Sequence, residues 1–180
     1  MSPAQTQATA KEPAEEAGVR EFLAFVVASE TYALPLSCVR EIMRVPSVTA
    51  VPRAPREVLG IISVRGQVTT LIDLRQKLNV EAAPVNSRTR ILLVDQGDEI
   101  LGLLCDRVKQ VHRLSETEVE LASVLGADAS SYVMGIGRPG QRKAEAQPGG
   151  GKQHAAAGSN VADILILLDP IALLKRGGHA

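Results

Sequence analysis

Val58-Leu-Gly-Ile-Ile-Ser-Val-Arg-Gly-Gln-Val-Thr-Thr-Leu-Ile-Asp-Leu-Arg75 is the stretch on which the fold class turns. Two runs rich in β-branched and aliphatic residues flank a glycine, a pattern that predicts two strands joined by a tight turn. Placing Gly66-Gln67 at the centre of the turn gives type II′, which wants glycine first because only glycine takes φ > 0 there without steric cost. In that register Val64 faces Thr69, Ile62 faces Leu71 and Ile61 faces Ile72. Arg65 then stands beside Val68 at the end of the ladder. An arginine there is commonly a solvated charge that blunts an exposed edge, yet arginine is also enriched among residues that dominate interfaces. Both readings stand at this point.

Upstream, Glu21–Val27 reads as an apolar strand, with a turn near Ser29-Glu30 and a short strand around Tyr32–Leu34. Pro35 is placed to open a helix at its favoured first turn. Leu36, Val39, Ile42 and Met43 recur at spacings of three and four, one apolar face of that helix, with Arg40, Glu41 and Arg44 on the other side. Pro46, Pro52 and Pro55 make the next stretch extended or looped.

Downstream, Leu74–Leu78 predicts one helical turn. A second hairpin joins Arg90–Asp95 to Ile100–Cys105 through Gly97-Asp98, pairing Val94 with Leu101 and Leu92 with Leu103. Arg107–His112 is a further strand, with Val108 and Val111 inward on different pleats or separated by a bulge. Ser115–Glu118 has the form of a capping box. Tyr132–Ile136 and Ile164–Leu168 read as strands, and Asp169-Pro170 caps a closing helix over Ile171–Lys175.

Two segments are unsuited to a packed core. Residues 1–18 read as a disordered tail. Residues 138–160 contain no Val, Ile, Leu, Met or aromatic residue and read as a flexible insertion in an elongated hairpin loop. The remainder, residues 19–176, reads as one domain of eight to ten short strands, with 177–180 as a C-terminal tail. The fold class is mainly all-β, a small barrel or sandwich. No helix between strands is long enough for a crossover, so parallel pairing is not expected.

Composition narrows the function. Twenty basic and 20 acidic residues cancel, so nothing drives general attraction to nucleic acid or anionic lipid. Aromatic residues make up 2%, too few for base-stacking platforms. Cys38 and Cys105 read as buried free thiols in a reducing cytoplasm. No apolar run is long enough to span a bilayer. His112, His154 and His179 lack metal-ligand spacing. Asp73, Asp95, Asp106 and Asp169 recur at strand ends, where Asp ordinarily caps and terminates. Ser63, Ser115 and Ser131 have no glycine elbow. No residue set for catalysis, metal or cofactor emerges.

Five ordered pieces carry a family resemblance: Glu21-Phe-Leu-Ala-Phe25, Val39-Arg-Glu-Ile42, Gly60-Ile-Ile-Ser-Val-Arg-Gly66, Ile72-Asp-Leu-Arg75 and Gly102-x-x-x-Asp106-x-Val108. Together with Tyr132–Ile136 and Ile164–Ile171 they resemble the bacterial chemotaxis coupling proteins, the CheW-like family, over about residues 20–175. The resemblance implies two intimately packed, SH3-like five-stranded β-barrels with short helices and no catalytic activity. It implies a cytoplasmic adaptor between chemoreceptor cytoplasmic tips, held in the groove between the barrels, and the regulatory domain of a CheA-type histidine kinase.

Carried onto this chain, the receptor-facing positions are Leu36, Val39 and Glu41 on the first helix, Arg65 at the hairpin tip and Val111 on a second-barrel strand. Gly60, Gly66 and Gly102 match glycines needed for coupling and kinase docking, each a close backbone approach or a turn.

Two departures stand out. Where the family usually has Asn-Leu-Arg-Gly, this chain has Ser63-Val64-Arg65-Gly66, which removes an amide. The 138–160 insertion carries Arg138, Arg142, Lys143 and Lys152 against Glu145. It either extends into solvent or modifies docking. Alternatives to a coupling adaptor are a divergent one that binds receptor without engaging the kinase, and, more distantly, an SH3-like barrel binding nucleic acid. The only basic cluster along the sequence, which the last would need, is in the insertion.

Overall fold

In the computed structural model, residues 18–81, 83–97, 99–122, 131–140 and 164–175 are described. The chain begins with strands β1 (Val19–Val27), β2 (Glu30–Pro35), β3 (Val39–Met43), β4 (Val58–Val64) and β5 (Gln67–Asp73). Helix α1 (Leu74–Lys77) is followed by β6 (Arg90–Asp95), β7 (Ile100–Cys105) and β8 (Arg107–Ser115). Strands β9 (Val119–Leu121), β10 (Val133–Gly137) and β11 (Leu165–Leu168) lead to helix α2 (Pro170–Leu174).

The strands form two sheets. One has six strands in the order β8-β1-β2-β11-β10-β9, the other five in the order β3-β6-β7-β5-β4. The chain therefore starts in the first sheet, builds the second, and returns. The all-β expectation of two small sheet units holds, with one sheet of six strands rather than five. Contrary to expectation, β5 pairs with β7, and β2 with β11, in parallel. Intervening strands rather than one long helix carry the chain back, so the crossover does not demand helical length.

Three apolar clusters organise these sheets. The largest lies between them, with Leu23, Phe25, Tyr32 and Leu34 from one and Ile72, Leu92, Val94 and Leu103 from the other. Phe25 stacks on its cross-strand partner Tyr32 at 6.3 Å between ring centroids. On its opposite face each sheet encloses a smaller cluster: Phe22, Ala24, Leu114 and Leu167 in one, Ile62, Leu71, Ile91 and Leu93 in the other. Strands buried on both faces lose the polar-apolar alternation. That is why Phe22–Val27, Ile91–Val94 and Leu101–Cys105 are unbroken apolar runs. Phe25 is fully buried in the shared core, where truncation to Ala costs about 3–5 kcal/mol.

The predicted helix after Pro35 is a single 3-10 turn, Leu36–Cys38, and Val39–Met43 is strand β3. A bulge explains the misreading. Val39 pairs with Val94 and Ile42 with Leu92, so four residues on β3 span three on β6. The extra residue puts Val39 and Ile42 on the same face, so a bulged strand imitates helical spacing. The same device operates in β8, where Val108 and Val111 oppose Phe25 and Leu23. The bulge alternative for that strand is the correct one.

The first hairpin also differs from its expected register. Val64 pairs with Gln67, Ser63 with Val68 and Ile62 with Thr69, so Arg65-Gly66 forms the turn. Both residues have positive φ, 50° and 84°, as a type I′ turn requires. Its twist matches the right-handed twist of the strands. The second hairpin has the expected register, Val94 with Leu101 and Leu92 with Leu103.

All four strand-end aspartates are structural. Asp73 and Asp169 cap α1 and α2, accepting from Arg75 N at 2.9 Å and Ile171 N at 2.8 Å. Asp95 accepts from Gly97 N at 2.7 Å and pairs with Arg40. Asp106 accepts from Ala28 N at 2.7 Å and pairs with Arg75 at 2.6 Å. The Ser115–Glu118 capping box forms as expected. Strands β10 and β11, which flank the 138–160 segment, pair antiparallel. The readings of residues 1–17, 141–160 and 177–180 as flexible fall outside the described residues.

Candidate partner-binding site

Strand β3 divides the candidate positions between its two faces. Val39, with Leu36 just before it, is half-buried against the margin of the inter-sheet core. Glu41 pairs with Leu93 and faces the other way. There Arg65, extending from the β4–β5 turn, meets its carboxylate at 2.8 Å. The Arg65 side chain remains 81% exposed, so the pair fixes its direction without burying it. Of the positions expected on one helix, Leu36 lies in the 3-10 turn and Val39 and Glu41 lie on strand β3.

Val111 belongs to the opposite sheet. It pairs with Leu23 on β1, shares a face with Val108 and is 43% exposed. Ile42 on β3 is exposed to the same extent. Strands β3 and β8 are each the outermost strand of their sheet. A groove of about 420 Å³ is lined by Ile42, Arg88, Arg90, Arg107 and Val108. The two bulged edge strands thus border one depression, with exposed Ile42 from one sheet and half-buried Val108 from the other. A second depression of about 380 Å³, with Arg40, Val68 and Asp95 among its lining residues, lies beside the first hairpin. Val68 is 73% exposed there.

The three glycines fall into different roles. Gly60 sits at φ 152°, and a Cβ on it would come within 2.3 Å of the Thr49 carbonyl oxygen. It permits the backbone of residues 48–49 to lie against β4, where Thr49 and Ile61 form a bridge. Gly66 has open space around it and serves the turn alone. Gly102 is buried in β7, where a Cβ would press on Ile91 and Leu71 at 3.1 and 3.2 Å. Gly60 and Gly102 are therefore both required by close packing within the five-stranded sheet unit. Ser63 is exposed on β4 opposite Val68.

The thiols are not reactive surfaces. Burial pushes Cys38 up to about 11 and Cys105 up to about 12. No group of three or more His, Cys, Asp or Glu side chains suited to a metal occurs among the described residues. No described helix is long and apolar enough to cross a membrane.

Sequence reading missed Ile42 as an exposed groove residue and Arg88, Arg90 and Arg107 altogether. Arg88 and Arg90 are near neighbours in sequence, but Arg107 comes from β8, and only the pairing of β1 with β8 and of β3 with β6 brings these segments to one depression. The insertion is therefore not the only basic cluster.

The chain is similar to known proteins in sequence and fold. The chain is 34% identical to the chemotaxis protein CheW of Helicobacter pylori over 124 residues, 69% of this chain and 75% of that one. It is 29% identical to protein FrzA of Myxococcus xanthus over 118 residues, 65% of this chain and 73% of that one. The crystal structure of the scaffolding protein TtCheW from Thermoanaerobacter tengcongensis superposes with a TM-score of 0.70 at 22% identity, covering 88% of this chain and 94% of that one. The profile of the CheW-like domain matches residues 21–177, and the chain belongs to that family.

Proposed function

We propose that this chain is a non-catalytic adaptor that links chemoreceptor cytoplasmic tips to a CheA-type histidine kinase in chemotaxis or motility signalling. The observation that carries this reading is the depression between the bulged edge strands β3 and β8, with Ile42 and Val108 in its lining. A receptor helix lying there meets aliphatic side chains from both sheets, exposed Ile42 and half-buried Val108, the helix-in-groove mode of recognition. Val39 and Val111 extend the apolar contact, with Leu36 at its margin. Arg65, aimed across β3 by Glu41, supplies a charged contact at the rim. The kinase regulatory domain docks on the five-stranded sheet, whose shape Gly60, Gly66 and Gly102 maintain. The adaptor works in the cytoplasm at receptor clusters.

Reconstitution tests this directly. Kinase, receptor fragment and this protein are mixed, and receptor-controlled autophosphorylation is measured. Activation that requires all three components is expected. Receptor binding without activation overturns the coupling role and favours the divergent adaptor, to which the serine at position 63 already points.

A further inference from the structure

The groove between β3 and β8 carries an unbalanced charge. Arg88, Arg90 and Arg107 line it together with Ile42 and Val108, and no acidic side chain does. Arg90 is fixed from within, its Nη1 donating to the carbonyls of Ser87 at 2.7 Å and Thr89 at 2.8 Å. Arg88 and Arg107 are exposed, and their guanidinium groups have no ion-pair partner among the described residues. Carboxylates on neighbouring strands are already engaged: Glu41 by Arg65, Asp95 by Arg40 and Asp106 by Arg75. A chain of zero formal net charge therefore gathers positive charge in one depression, and its own described acidic residues do not neutralise it there.

Resting on the receptor-binding reading above, we propose that this groove selects a receptor-tip helix presenting a carboxylate beside an aliphatic stripe, with Arg88 and Arg107 as the specificity-determining residues. The aliphatic side chains settle on Ile42 and Val108, and the carboxylate takes the guanidinium fork. Arg90, already anchored to backbone carbonyls, contributes a fixed positive field. A carboxylate partner is favoured over a nucleic acid because the arginines share the depression with the aliphatic side chains of Ile42 and Val108. Aromatic residues, on which bases stack, make up only 2% of the chain. Charge complementarity of this kind acts on partner choice and association rate more than on total affinity, and it weakens with salt.

The test titrates the full chain with two probes over a salt series. One is a soluble chemoreceptor cytoplasmic fragment. The other is a synthetic amphipathic helical peptide made in matched Glu and Gln versions. For wild type, both the fragment and the Glu peptide bind, with the Glu peptide preferred over the Gln peptide. The doubly substituted Arg88→Ala/Arg107→Ala protein loses tenfold or more in fragment affinity, flattens the salt dependence and abolishes the Glu preference. Its urea midpoint stays at the wild-type value, since both side chains are exposed.

Fragment binding that keeps its affinity and salt slope in the double variant overturns the proposal and leaves the receptor reading standing. A wild-type protein that ignores the fragment, yet shows an arginine-dependent Glu preference, overturns the receptor reading and keeps the carboxylate groove. A single-stranded oligonucleotide that outcompetes the Glu peptide through the same arginines assigns the groove to phosphate and overturns the proposal.

Discussion

The Arg65 guanidinium meets the Glu41 carboxylate at 2.8 Å, linking the β4–β5 turn to edge strand β3. With Arg65 81% exposed, such a pair contributes at most about 1 kcal/mol to stability. Its effect is directional: it holds a long side chain over the strand where a partner is proposed to lie. Arg65→Glu sets two carboxylates against each other and removes the cation. We expect at least a tenfold loss of receptor-fragment affinity by calorimetry. The urea unfolding free energy should change by less than about 1 kcal/mol. Unchanged affinity would remove Arg65 from the contact.

The turn itself separates stability from binding. Arg65 occupies φ 50°, a left-handed conformation that costs a non-glycine residue roughly 1 kcal/mol. Asn tolerates this region and makes Asn-Gly, the favoured type I′ pair. Arg65→Asn should therefore stabilise the fold by about 0.5–1 kcal/mol while weakening receptor association. A variant that binds normally, or unfolds more easily, contradicts this trade.

Gly60 and Gly66 should respond differently to the same change. Gly66→Ala meets open space and pays only for its positive φ, about 1 kcal/mol. Gly60→Ala drives a methyl to within 2.3 Å of the Thr49 carbonyl oxygen. The 48–49 segment must move away from β4, breaking the backbone bonds between Thr49 and Ile61. A loss of roughly 3 kcal/mol or more is expected. Urea denaturation of the two variants checks the ordering, and equal losses would mean that the close approach is not held in solution.

Local chemistry made some features legible and hid others. Asp169 with Pro170 announced its helix cap, and Gly97 with its flanking apolar runs gave the second hairpin and its register. The bulge in β3 was hidden because Val39 and Ile42, three apart on one face, have helical spacing. The first turn was misplaced because arginine rarely takes positive φ, so glycine was assigned the leading position. That Arg107 joins Arg88 and Arg90 has no local signal: sheet pairing over long sequence separation assembles the groove they share. Arg65 and Glu41 were both marked by the family resemblance, but only the fold joins them.

Asp106 ties three segments together, so its loss should reach beyond one ion pair. One carboxylate receives Ala28 N at the β1–β2 turn and both Nε and Nη2 of Arg75, at 2.8 and 2.6 Å. Ala28 itself has φ 56°, and this bond helps to hold it there. Asp106→Ala leaves a part-buried guanidinium and a backbone N–H without their acceptor, at a cost of about 2–4 kcal/mol. Asp106→Asn keeps one acceptor and should recover part of it. Hydrogen exchange provides the local readout: Ala28 N should exchange much faster in Asp106→Ala. An unaltered Ala28 rate would deny the bond its role.

Cys105 gives the fold an alkaline limit. Its thiol is nearly inaccessible, at 1% exposure. Burial, with the nearby Asp106 charge, raises it from 9.0 to about 12. In the unfolded chain the thiol ionises near 9.0, while the folded chain keeps its proton well above that pH. Over this window the native state binds more protons than the unfolded state, so stability falls as pH rises. The contribution is fully present below pH 9 and declines by roughly 1 kcal/mol per pH unit above it. Cys105→Ala leaves a small cavity and lowers stability near neutrality. Lacking the thiol, it should show a flatter decline between pH 9 and 11. Urea titrations of both proteins at half-unit intervals measure the two slopes, and parallel declines would exclude Cys105 as their source.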